Sequence, residues 1–585
     1  MRPPLRCRST MSATSSHHGS KHFTIRVRGI AGIFLFLALV CVGRLYYLQI
    51  IKGSEYAARA DHEFTTPANP LFDRNNIYFT TKDGTEIAAA VDQNGVSLAV
   101  QPPKITDPNA LYAALNAIVP LDKNTFMALA QKQGTQYVVV ADHLSTTTGA
   151  AIQAANLTGV VVAQDSWRSY PGGSLAAQTI GFVAYNGDAL EGRYGLERQY
   201  ESTLQRAQED LYTNFFVQLF VGATQVWKGT TQGDIVTTIE PSVQAELERE
   251  LVLYMQQWKP QIAGGIIMDP QNGEIYAMAV DPTFDLNDSS KQTNVSIFND
   301  PLVGNDYEMG SIIKPLTMAA GIDSGAITAT TTYNDTGCIT VNTGKICNFD
   351  LKARGVIPMQ QILSQSLNVG ASFIATQLGP DRMRQYFKDK YAFGQPTGID
   401  LPGEASGLIN NLNSPRQVEY DTASFGQGIA ITPIETVRAL AALGNGGRLV
   451  TPHVARAVRD AAGLEEPLSW NSGTQILSPT TTQQVTQMLT NVVDVAFTKG
   501  MSFEHYSVAA KTGTAQISNP AGGGYYSDKY LHSYFGYFPS YNAKFIIFLF
   551  AFEPVGAPYS SETWGTTFHN IVQFLINYYA VPPDR

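Results

Sequence analysis

The chain has 585 residues, of which 44% are hydrophobic, and its formal net charge is −9. That length predicts several domains with cores of ordinary size. Residues 1–54 hold eight Lys and Arg and no acidic residue, so the remaining 32 basic and 49 acidic residues give the rest of the chain a net charge of −17. So acidic a body argues against a nucleic-acid partner.

The first predicted element is a membrane anchor. Residues 29–43 carry no charge, and the apolar pattern continues over residues 45–51 beyond the single Arg44. As a helix, residues 29–51 would span about 34 Å, enough for a bilayer core of about 30 Å. Six positive charges precede this segment, which predicts a cytoplasmic tail over residues 1–28 and an extracytoplasmic body. A cleaved signal peptide is the alternative, but no clear small-x-small cleavage site follows.

Residues 52–232 are predicted to form an α+β pedestal domain. Its predicted elements are a helix continuing the anchor, short strands, and two amphipathic helical stretches, at residues 52–66, 77–85, 108–133 and 144–156. The apolar run at residues 214–221 predicts a buried strand or helix, with an exposed partner-binding patch as the alternative. A stretch rich in Gly and Thr, residues 228–234, suits a domain boundary.

Residues 233–585 predict a second domain, in which strands come first, helices follow and strands return. The predicted strands lie at residues 235–239, 263–268, 274–280, 507–510, 533–538 and 545–552. The predicted helices lie at residues 240–258, within residues 359–443, and at residues 568–579. This order indicates a sheet covered by helices, with both ends of the domain meeting in the sheet.

Two of the four cysteines flank a predicted hairpin. Cys7 lies in the tail and Cys41 in the anchor, whereas Cys338 and Cys347 enclose strand-forming residues around a turn signal. In an oxidising compartment, a disulfide closing this loop would add about 2–3 kcal/mol of stability. Two free buried thiols are the alternative. The spacing matches no zinc pattern and no His lies nearby, so we expect no metal site.

One pair of residues carries candidate nucleophilic chemistry. Ser311 and Lys314 are three residues apart at the start of an apolar, helix-compatible run, so we expect them to share a helix face. A helix beginning at about Ser311 would also place Pro315 in its first turn, where a missing N–H costs nothing. A serine beside an amine is a nucleophile with a base. The alternative is a helix-capping serine followed by a solvated lysine.

Two further motifs follow along the chain. Ser366-Leu367-Asn368 precedes a predicted helix, and a polar cap on that helix is the alternative reading. Lys511-Thr512-Gly513-Thr514 leaves the predicted strand at residues 507–510. Gly513 would permit close approach of another backbone or a substrate, while Lys511 and Thr514 would offer a cation and a hydroxyl to a carboxylate. A surface β-turn is the alternative for this second motif.

The motif order Ser-x-x-Lys, Ser-x-Asn, Lys-Thr-Gly resembles that of penicillin-binding proteins and serine β-lactamases. The chain is similar to class B penicillin-binding proteins in several further stretches, at residues 43–49, 168–171, 195–197, 282–311, 398–404, 424–429 and 532–537. The pattern from Lys511 to the end is most similar to the septal, cell-division branch. Three departures stand out: Met309 replaces a common Pro, Ala510 a common Gly, and Ala68-Asn69 the usual Arg-Gly ahead of residues 73–76.

This resemblance implies a fold class: a membrane anchor helix, an α+β pedestal domain, and an α/β penicillin-binding transpeptidase domain with an antiparallel sheet flanked by helices. The implied reaction is acyl transfer from a peptidoglycan stem peptide ending in D-Ala-D-Ala. Ser311 would attack after neutral Lys314 takes its proton, Ser366 would relay a proton to the leaving D-Ala, and Asn368 would orient Lys314 and the substrate amide.

Substrate binding and partners follow from the same resemblance. Lys511, Thr512 and Thr514 would hold the terminal carboxylate, and the backbone N–H groups of Ser311 and Thr514 would form the oxyanion hole. An amine of a second stem peptide would then attack the acyl-enzyme. We expect no cofactor and no metal. Expected partners are stem peptides, β-lactams as covalent inhibitors, the cell membrane, a membrane-embedded glycosyltransferase and division proteins.

Three other functions stay open on the sequence. A β-lactam-binding sensor or β-lactamase would share the acylation machinery, although a lactamase also needs efficient deacylation. A non-catalytic division scaffold would bind partners through the pedestal, but the intact motifs argue against a decayed site. A bifunctional enzyme would carry a glycosyltransferase domain, and residues 52–232 contain no recognisable paired-carboxylate motif.

Overall fold

The computed structural model describes residues 73–187, 189–206, 232–342, 344–496 and 503–585. The predicted tail, the anchor at residues 29–51, the helix at residues 52–66 and the apolar run at residues 214–221 lie outside these residues. No helix within the described ranges is long and apolar enough to cross a membrane.

The described residues form two compact units. Residues 94–166 make the first unit, and residues 73–93 together with those from 167 onward make the second. The boundary that we predict at residue 232 stays a prediction.

Twenty strands are assigned within the described residues. They are β1 (Ile77–Thr80), β2 (Glu86–Val100), β3 (Val138–Leu144), β4 (Val160–Ser169), β5 (Val183–Asn186), β6 (Ala189–Gly192), β7 (Asp234–Thr237), β8 (Ile262–Met268), β9 (Ile275–Asp281), β10 (Thr332–Asp335), β11 (Cys338–Val341), β12 (Gly344–Cys347), β13 (Gly355–Pro358), β14 (Arg448–Leu449), β15 (Ala455–Arg459), β16 (Glu465–Pro467), β17 (Thr474–Gln475), β18 (Ala509–Ser518), β19 (Tyr525–Phe538) and β20 (Phe545–Phe552).

Sixteen α-helices are assigned within the same residues. They are α1 (Pro108–Asn116), α2 (Lys123–Ala130), α3 (Thr146–Ala154), α4 (Ala177–Ile180), α5 (Gly195–Gln199), α6 (Glu201–Leu204), α7 (Pro241–Trp258), α8 (Pro301–Gly304), α9 (Lys314–Asp323), α10 (Gln360–Ser364), α11 (Asn368–Arg384), α12 (Gln417–Ala423), α13 (Pro433–Gly444), α14 (Pro479–Ala496), α15 (Ser560–Thr563) and α16 (Gly565–Tyr578).

The first unit packs α1, α2 and α3 with β3, β4 and the second half of β2. The helical stretch predicted at residues 108–133 is two helices here, because Pro120 interrupts the pattern and Asp122 caps α2 by accepting the Thr125 N–H at 2.8 Å. A single apolar core forms from buried side chains of these elements, among them Leu98, Leu111, Leu115, Phe126 and Ile152.

In the second unit, residues from the predicted pedestal form a buried ion cluster. The Glu197 carboxylate is fully buried and accepts hydrogen bonds from Arg74 Nε at 2.6 Å and Arg168 Nε at 2.7 Å. The two guanidinium groups and the carboxylate need one another, because an unpaired ion inside a protein is costly. The stretches at residues 168–171 and 195–197 that resemble the family thus meet in space, and Arg74 joins them.

A five-stranded sheet of the second unit has the strand order β18-β19-β20-β8-β9, and its pairs are antiparallel. Alternate residues of β20 enter two different cores: Phe548 and Phe550 belong to one, Ile547 and Leu549 to the other. Helices therefore cover both faces, with α7 and α16 on the second core and α9 on the first. The predicted sheet flanked by helices is confirmed, and early strands (β8, β9) meet late strands (β18 to β20) in it. The strand predicted at residues 235–239 lies elsewhere: it is β7, which pairs with β1 and β15.

A short hairpin closes on itself beside the helices. β11 and β12 pair with Cys338 opposite Cys347, and the two cysteines form a disulfide. The predicted hairpin is confirmed, and of the two alternatives that the sequence leaves open for its cysteines, the structure has the disulfide.

Candidate active site

A tight turn positions Ser311 ahead of a buried helix. Residues Gly310–Ile313 form one 3₁₀ turn, and α9 begins at Lys314 rather than at Ser311 as predicted. Gly310 has a φ of +66°, a conformation that suits glycine. Pro315 lies in the first turn of α9, as predicted, so its missing N–H breaks no helical hydrogen bond.

The Lys314 amine is the centre of the cluster. Its Nζ lies 2.9 Å from Ser311 Oγ, 2.6 Å from the Ser366 carbonyl oxygen and 2.8 Å from Asn368 Oδ1. The carbonyl and amide oxygens can only accept hydrogen bonds. They therefore use two N–H groups of Lys314, and the third position of the nitrogen faces the Ser311 hydroxyl.

Both lysines of the site are buried, since Lys314 is 1% and Lys511 3% exposed. Burial lowers the pKa of Lys314 well below its usual value, and the neighbouring charge of Lys511 lowers it further. Burial also lowers the pKa of Lys511 to about 7. Both causes favour the neutral form of Lys314, which is the state that a base requires.

Ser366 and Asn368 come from the loop and first turn that lead into α11. Ser366 has a φ of +55°, and its Oγ lies 3.3 Å from Lys314 Nζ and 3.1 Å from Lys511 Nζ, so it bridges the two amines. Asn368 donates from Nδ2 to the Cys347 carbonyl oxygen at 3.0 Å, which fixes Oδ1 toward Lys314. The disulfide hairpin therefore orients a residue of the site.

Lys511-Thr512-Gly513-Thr514 lies inside β18 and not after its end, which corrects the sequence expectation. Pairing with β19 continues through the motif, from Lys511 opposite Phe535 to Thr514 opposite His532. β18 is an edge strand of its sheet in the described chain, so its outer backbone groups face the Ser311 turn without a strand partner.

Glycines allow the strand and the turn to touch. A Cβ on Gly513 would lie 2.8 Å from the Met309 carbonyl oxygen, and one on Gly310 would lie 2.9 Å from the Thr514 carbonyl oxygen. A further bond, from Ser533 Oγ to the Met309 carbonyl oxygen at 2.8 Å, ties the turn to the sheet. These contacts hold the nucleophile against the strand that would bind an extended peptide.

The cluster opens into a cavity of about 760 Å³, which is lined by six of the eight predicted site residues, namely Ser311, Ser366, Asn368, Lys511, Thr512 and Thr514. We call this space the donor cleft. Lys314 lies beneath it and Gly513 packs against the turn, so the structure brings all eight together. The alternative readings of these motifs, a helix cap with a solvated lysine, a polar helix cap and a surface β-turn, are therefore wrong.

Sequence reasoning missed three features of the donor cleft. The exposed rings of Phe349 and Tyr559 meet edge-to-face at 5.7 Å on its wall, and the Phe425 ring lies 6.0 Å from Lys314 Nζ. The Cys347 carbonyl is the third. Phe425 lies within a stretch that resembles the family, but nothing in the sequence pattern places Phe349 or Tyr559 at a site.

Two family models match the chain. The Penicillin binding protein transpeptidase domain matches residues 263–573, and the Penicillin-binding Protein dimerisation domain matches residues 75–210. The first match alone covers more than half of the chain.

Relatives of known name span nearly the whole chain. Stage V sporulation protein D of Bacillus subtilis is 28% identical over 546 residues, which cover 90% of this chain and 81% of the relative. The peptidoglycan D,D-transpeptidase FtsI homolog of Mesostigma viride is 26% identical over 578 residues, covering 93% and 94%.

Solved structures share the architecture. Penicillin binding protein 2X of Streptococcus thermophilus superposes with a TM-score of 0.69 at 22% identity, covering 87% of this chain and 80% of that one. Penicillin binding protein 3 of Mycobacterium tuberculosis gives 0.62 at 26% identity, covering 72% and 92%. The same protein has been solved in complex with aztreonam.

Proposed function

The chain belongs to the penicillin-binding protein transpeptidase family, and on that premise we propose that it is a class B, monofunctional peptidoglycan D,D-transpeptidase. It cross-links stem peptides through a Ser311 acyl-enzyme during cell-wall synthesis, and it acts at the division septum. The observation that carries the proposal is the Lys314 amine, whose nitrogen contacts Ser311 Oγ while two pure acceptors hold its N–H groups. Relatives named FtsI support the septal assignment.

Acylation begins with proton transfer from Ser311 to Lys314. Neutral Lys314 accepts the hydroxyl proton as Oγ attacks the carbonyl carbon of the penultimate D-Ala. The backbone N–H groups of Ser311 and Thr514 stabilise the negative oxygen, and loss of one such donor typically costs about 3–4 kcal/mol of barrier. The C–N bond then breaks, and Lys314 returns the proton through Ser366 Oγ to the nitrogen of the leaving D-Ala.

The substrate carboxylate is held by β18. Lys511 supplies the cation, and the hydroxyls of Thr512 and Thr514 supply donors beside it. Lys511 Nζ already donates to Ser366 Oγ and to the Thr512 carbonyl oxygen at 2.9 Å, which fixes its position before substrate arrives. A preordered cation avoids part of the entropy cost of binding.

Deacylation consumes an amine. The free amine of a second stem peptide bonds to the acyl carbon, its surplus proton passes by way of Lys314 to Ser311 Oγ, and the ester bond breaks. An amide cross-link and the free serine result. We also propose that residues 29–51 anchor the chain in the cell membrane, and that a membrane-embedded glycosyltransferase and division proteins are its partners.

The experiment is covalent labelling of the purified full chain by a fluorescent penicillin. We expect labelling of the parent, none of Ser311→Ala, and full labelling of Ser364→Ala, a serine of the same cavity that lies outside the lysine cluster. A long label lifetime supports the transpeptidase, whereas turnover of the label within seconds favours a β-lactamase. Absence of labelling in a folded parent would contradict an acylating enzyme and favour the scaffold.

A further inference from the structure

A second cavity of about 850 Å³ adjoins the donor cleft along β18. Gln516, two residues beyond Thr514, lines both cavities. We call the second one the distal cavity. Its wall combines aromatic rings with ionisable groups and none of the eight site residues, so it has no part in the acylation steps above.

The carboxyl groups of the distal cavity are unevenly paired. Glu553 holds Lys529 at 3.0 Å, which leaves Asp306 and Glu308 as carboxyls without a cation in the described part of the chain. Glu308 Oε1 accepts hydrogen bonds from the Gly428 N–H at 3.0 Å and the Tyr525 hydroxyl at 3.1 Å. Its other oxygen, Oε2, is buried and has no hydrogen-bond partner among the described residues.

A buried acceptor that lacks a hydrogen-bond donor costs free energy. The donor cleft presents a cation to an anionic carboxylate, whereas the distal cavity presents unpaired carboxyls to a cation. Cross-linking requires a second peptide whose primary amine reaches the acyl group on Ser311. Glu308 precedes Ser311 by three residues, so their Cα atoms lie within about 11 Å of one another.

We propose that the distal cavity binds the acceptor stem peptide of the cross-linking reaction, and that Glu308 receives its primary ammonium group. The inference rests on the proposed function, because only a transpeptidase needs an acceptor. Tyr307, Tyr525 and Tyr526 offer apolar surface to the peptide chain behind the amine.

The proton balance is simple. The ammonium gives one proton to the Glu308 carboxylate and becomes a free amine, which is the form that attacks the acyl carbon. Burial raises the pKa of Glu308 to about 7, so its carboxylate is matched to accept that proton at neutral pH. The N–C bond forms as the Ser311 ester bond breaks, the serine oxygen regains a proton through Lys314, and Glu308 returns its proton to water.

The test measures how the acyl-enzyme divides between water and an amine. The full chain receives a thioester donor ending in D-Ala, together with a synthetic tetrapeptide whose third residue is either lysine or diaminopimelate. For Glu308→Gln we expect the ratio of aminolysis to hydrolysis to fall at least about tenfold with the preferred peptide, because a charge-assisted hydrogen bond is lost.

Two further variants sharpen the comparison. Leu408 lines the distal cavity and is 62% exposed, so Leu408→Arg places a cation there without disturbing the core. It should lower the same ratio. Asp528→Asn removes an exposed carboxylate of β19 that does not line the cavity, and it should leave the ratio unchanged.

The pH dependence gives an independent readout. The parent ratio should rise with pH through about 7 as Glu308 ionises, and Glu308→Gln should lack that rise. The other titratable groups that face the cavity are Asp306, Tyr307, Tyr525, Tyr526, Lys529 and Glu553. A rise that persists in Glu308→Gln therefore does not come from Glu308 and overturns its assignment as the group that receives the ammonium.

The proposal is overturned if Glu308→Gln or Leu408→Arg keeps the parental ratio within about twofold, since a charge-assisted contact contributes more than that. It is also overturned if Glu308→Gln slows penicillin acylation as much as aminolysis, because Glu308 would then act through the Ser311 turn. Failure of the proposed function looks different: the parent itself would not label with fluorescent penicillin.

Discussion

Replacement of Lys511 by glutamine tests whether one lysine keeps the other neutral. The Nζ atoms of Lys314 and Lys511 both lie within hydrogen-bond distance of Ser366 Oγ, at 3.3 Å and 3.1 Å, so they are separated by at most the sum of these distances, 6.4 Å. Two unit charges at that separation repel by about 2.6 kcal/mol at an effective dielectric constant of about 20. Loss of the Lys511 charge should therefore raise the pKa of Lys314, although burial, the larger cause, still lowers it.

The direction of the effect follows from the base mechanism. Lys314 must lose its proton to act as a base, so acylation fails at acid pH, and a higher pKa moves that failure upward. The parent should also lose acylation as pH rises through about 7, where Lys511 loses its proton, and Lys511→Gln should lack this alkaline limb. The maximal rate constant should fall about 10- to 100-fold, because the substrate carboxylate loses its cation.

The assay is the second-order rate constant of acylation by a fluorescent penicillin, measured from pH 4 to 9 on a roughly half-unit grid, with circular dichroism to monitor the fold. Lys291→Gln is the matched control, since its side chain is 73% exposed on a surface turn. An acid limb that stays in place in folded Lys511→Gln refutes the coupling, and burial alone would then set the state of Lys314.

Three other changes have expected outcomes. Asn368→Ala removes an acceptor from Lys314 and should slow penicillin acylation by about 10- to 100-fold with little change in melting temperature; an unchanged rate would contradict its orienting role. Serine at both Cys338 and Cys347 should lower the free energy of unfolding in urea by about 2–3 kcal/mol, and equal stability of the parent under reducing and oxidising conditions would argue against this. Glu197→Ala separates two buried guanidinium groups from their shared carboxylate and should cost about 3–5 kcal/mol by the same measurement, unlike exposed Glu562→Ala.

The chemistry of the site was predictable because its motifs are local. A spacing of three residues places Ser311 beside Lys314 wherever the backbone turns helically, and the structure has their reactive atoms 2.9 Å apart. Local spacing does not bring Ser366 to Lys314, which is 52 residues away, or Lys511 to Ser366, which is 145 residues away. Those contacts follow here from the resemblance and not from periodicity.

The boundaries of β18 were not predictable from the pattern of apolar residues. The apolar run Val508-Ala509-Ala510 ends where Lys511 and Thr512 begin a polar run, so the pattern predicts that the strand ends at Ala510. An edge strand beside a cleft escapes that rule, because its side chains and outer backbone groups face a substrate instead of a core. The distal cavity was even less predictable from local patterns, because its wall joins Glu308 to residues more than 200 positions away, such as Tyr525.

Because the two lysines lie close together, the substrate carboxylate should also influence the protonation of Lys314, besides being bound. In the free protein, the pKa of Lys511 is about 7, so its positive charge is only partly present at neutral pH. A carboxylate bound beside Lys511 favours the charged form of that lysine. The restored charge holds Lys314, at most 6.4 Å away, in its neutral and basic form. A donor that lacks the carboxylate therefore loses part of the activation of Ser311 as well as its binding contact, so esterifying the carboxylate should reduce the acylation rate constant and not only the affinity.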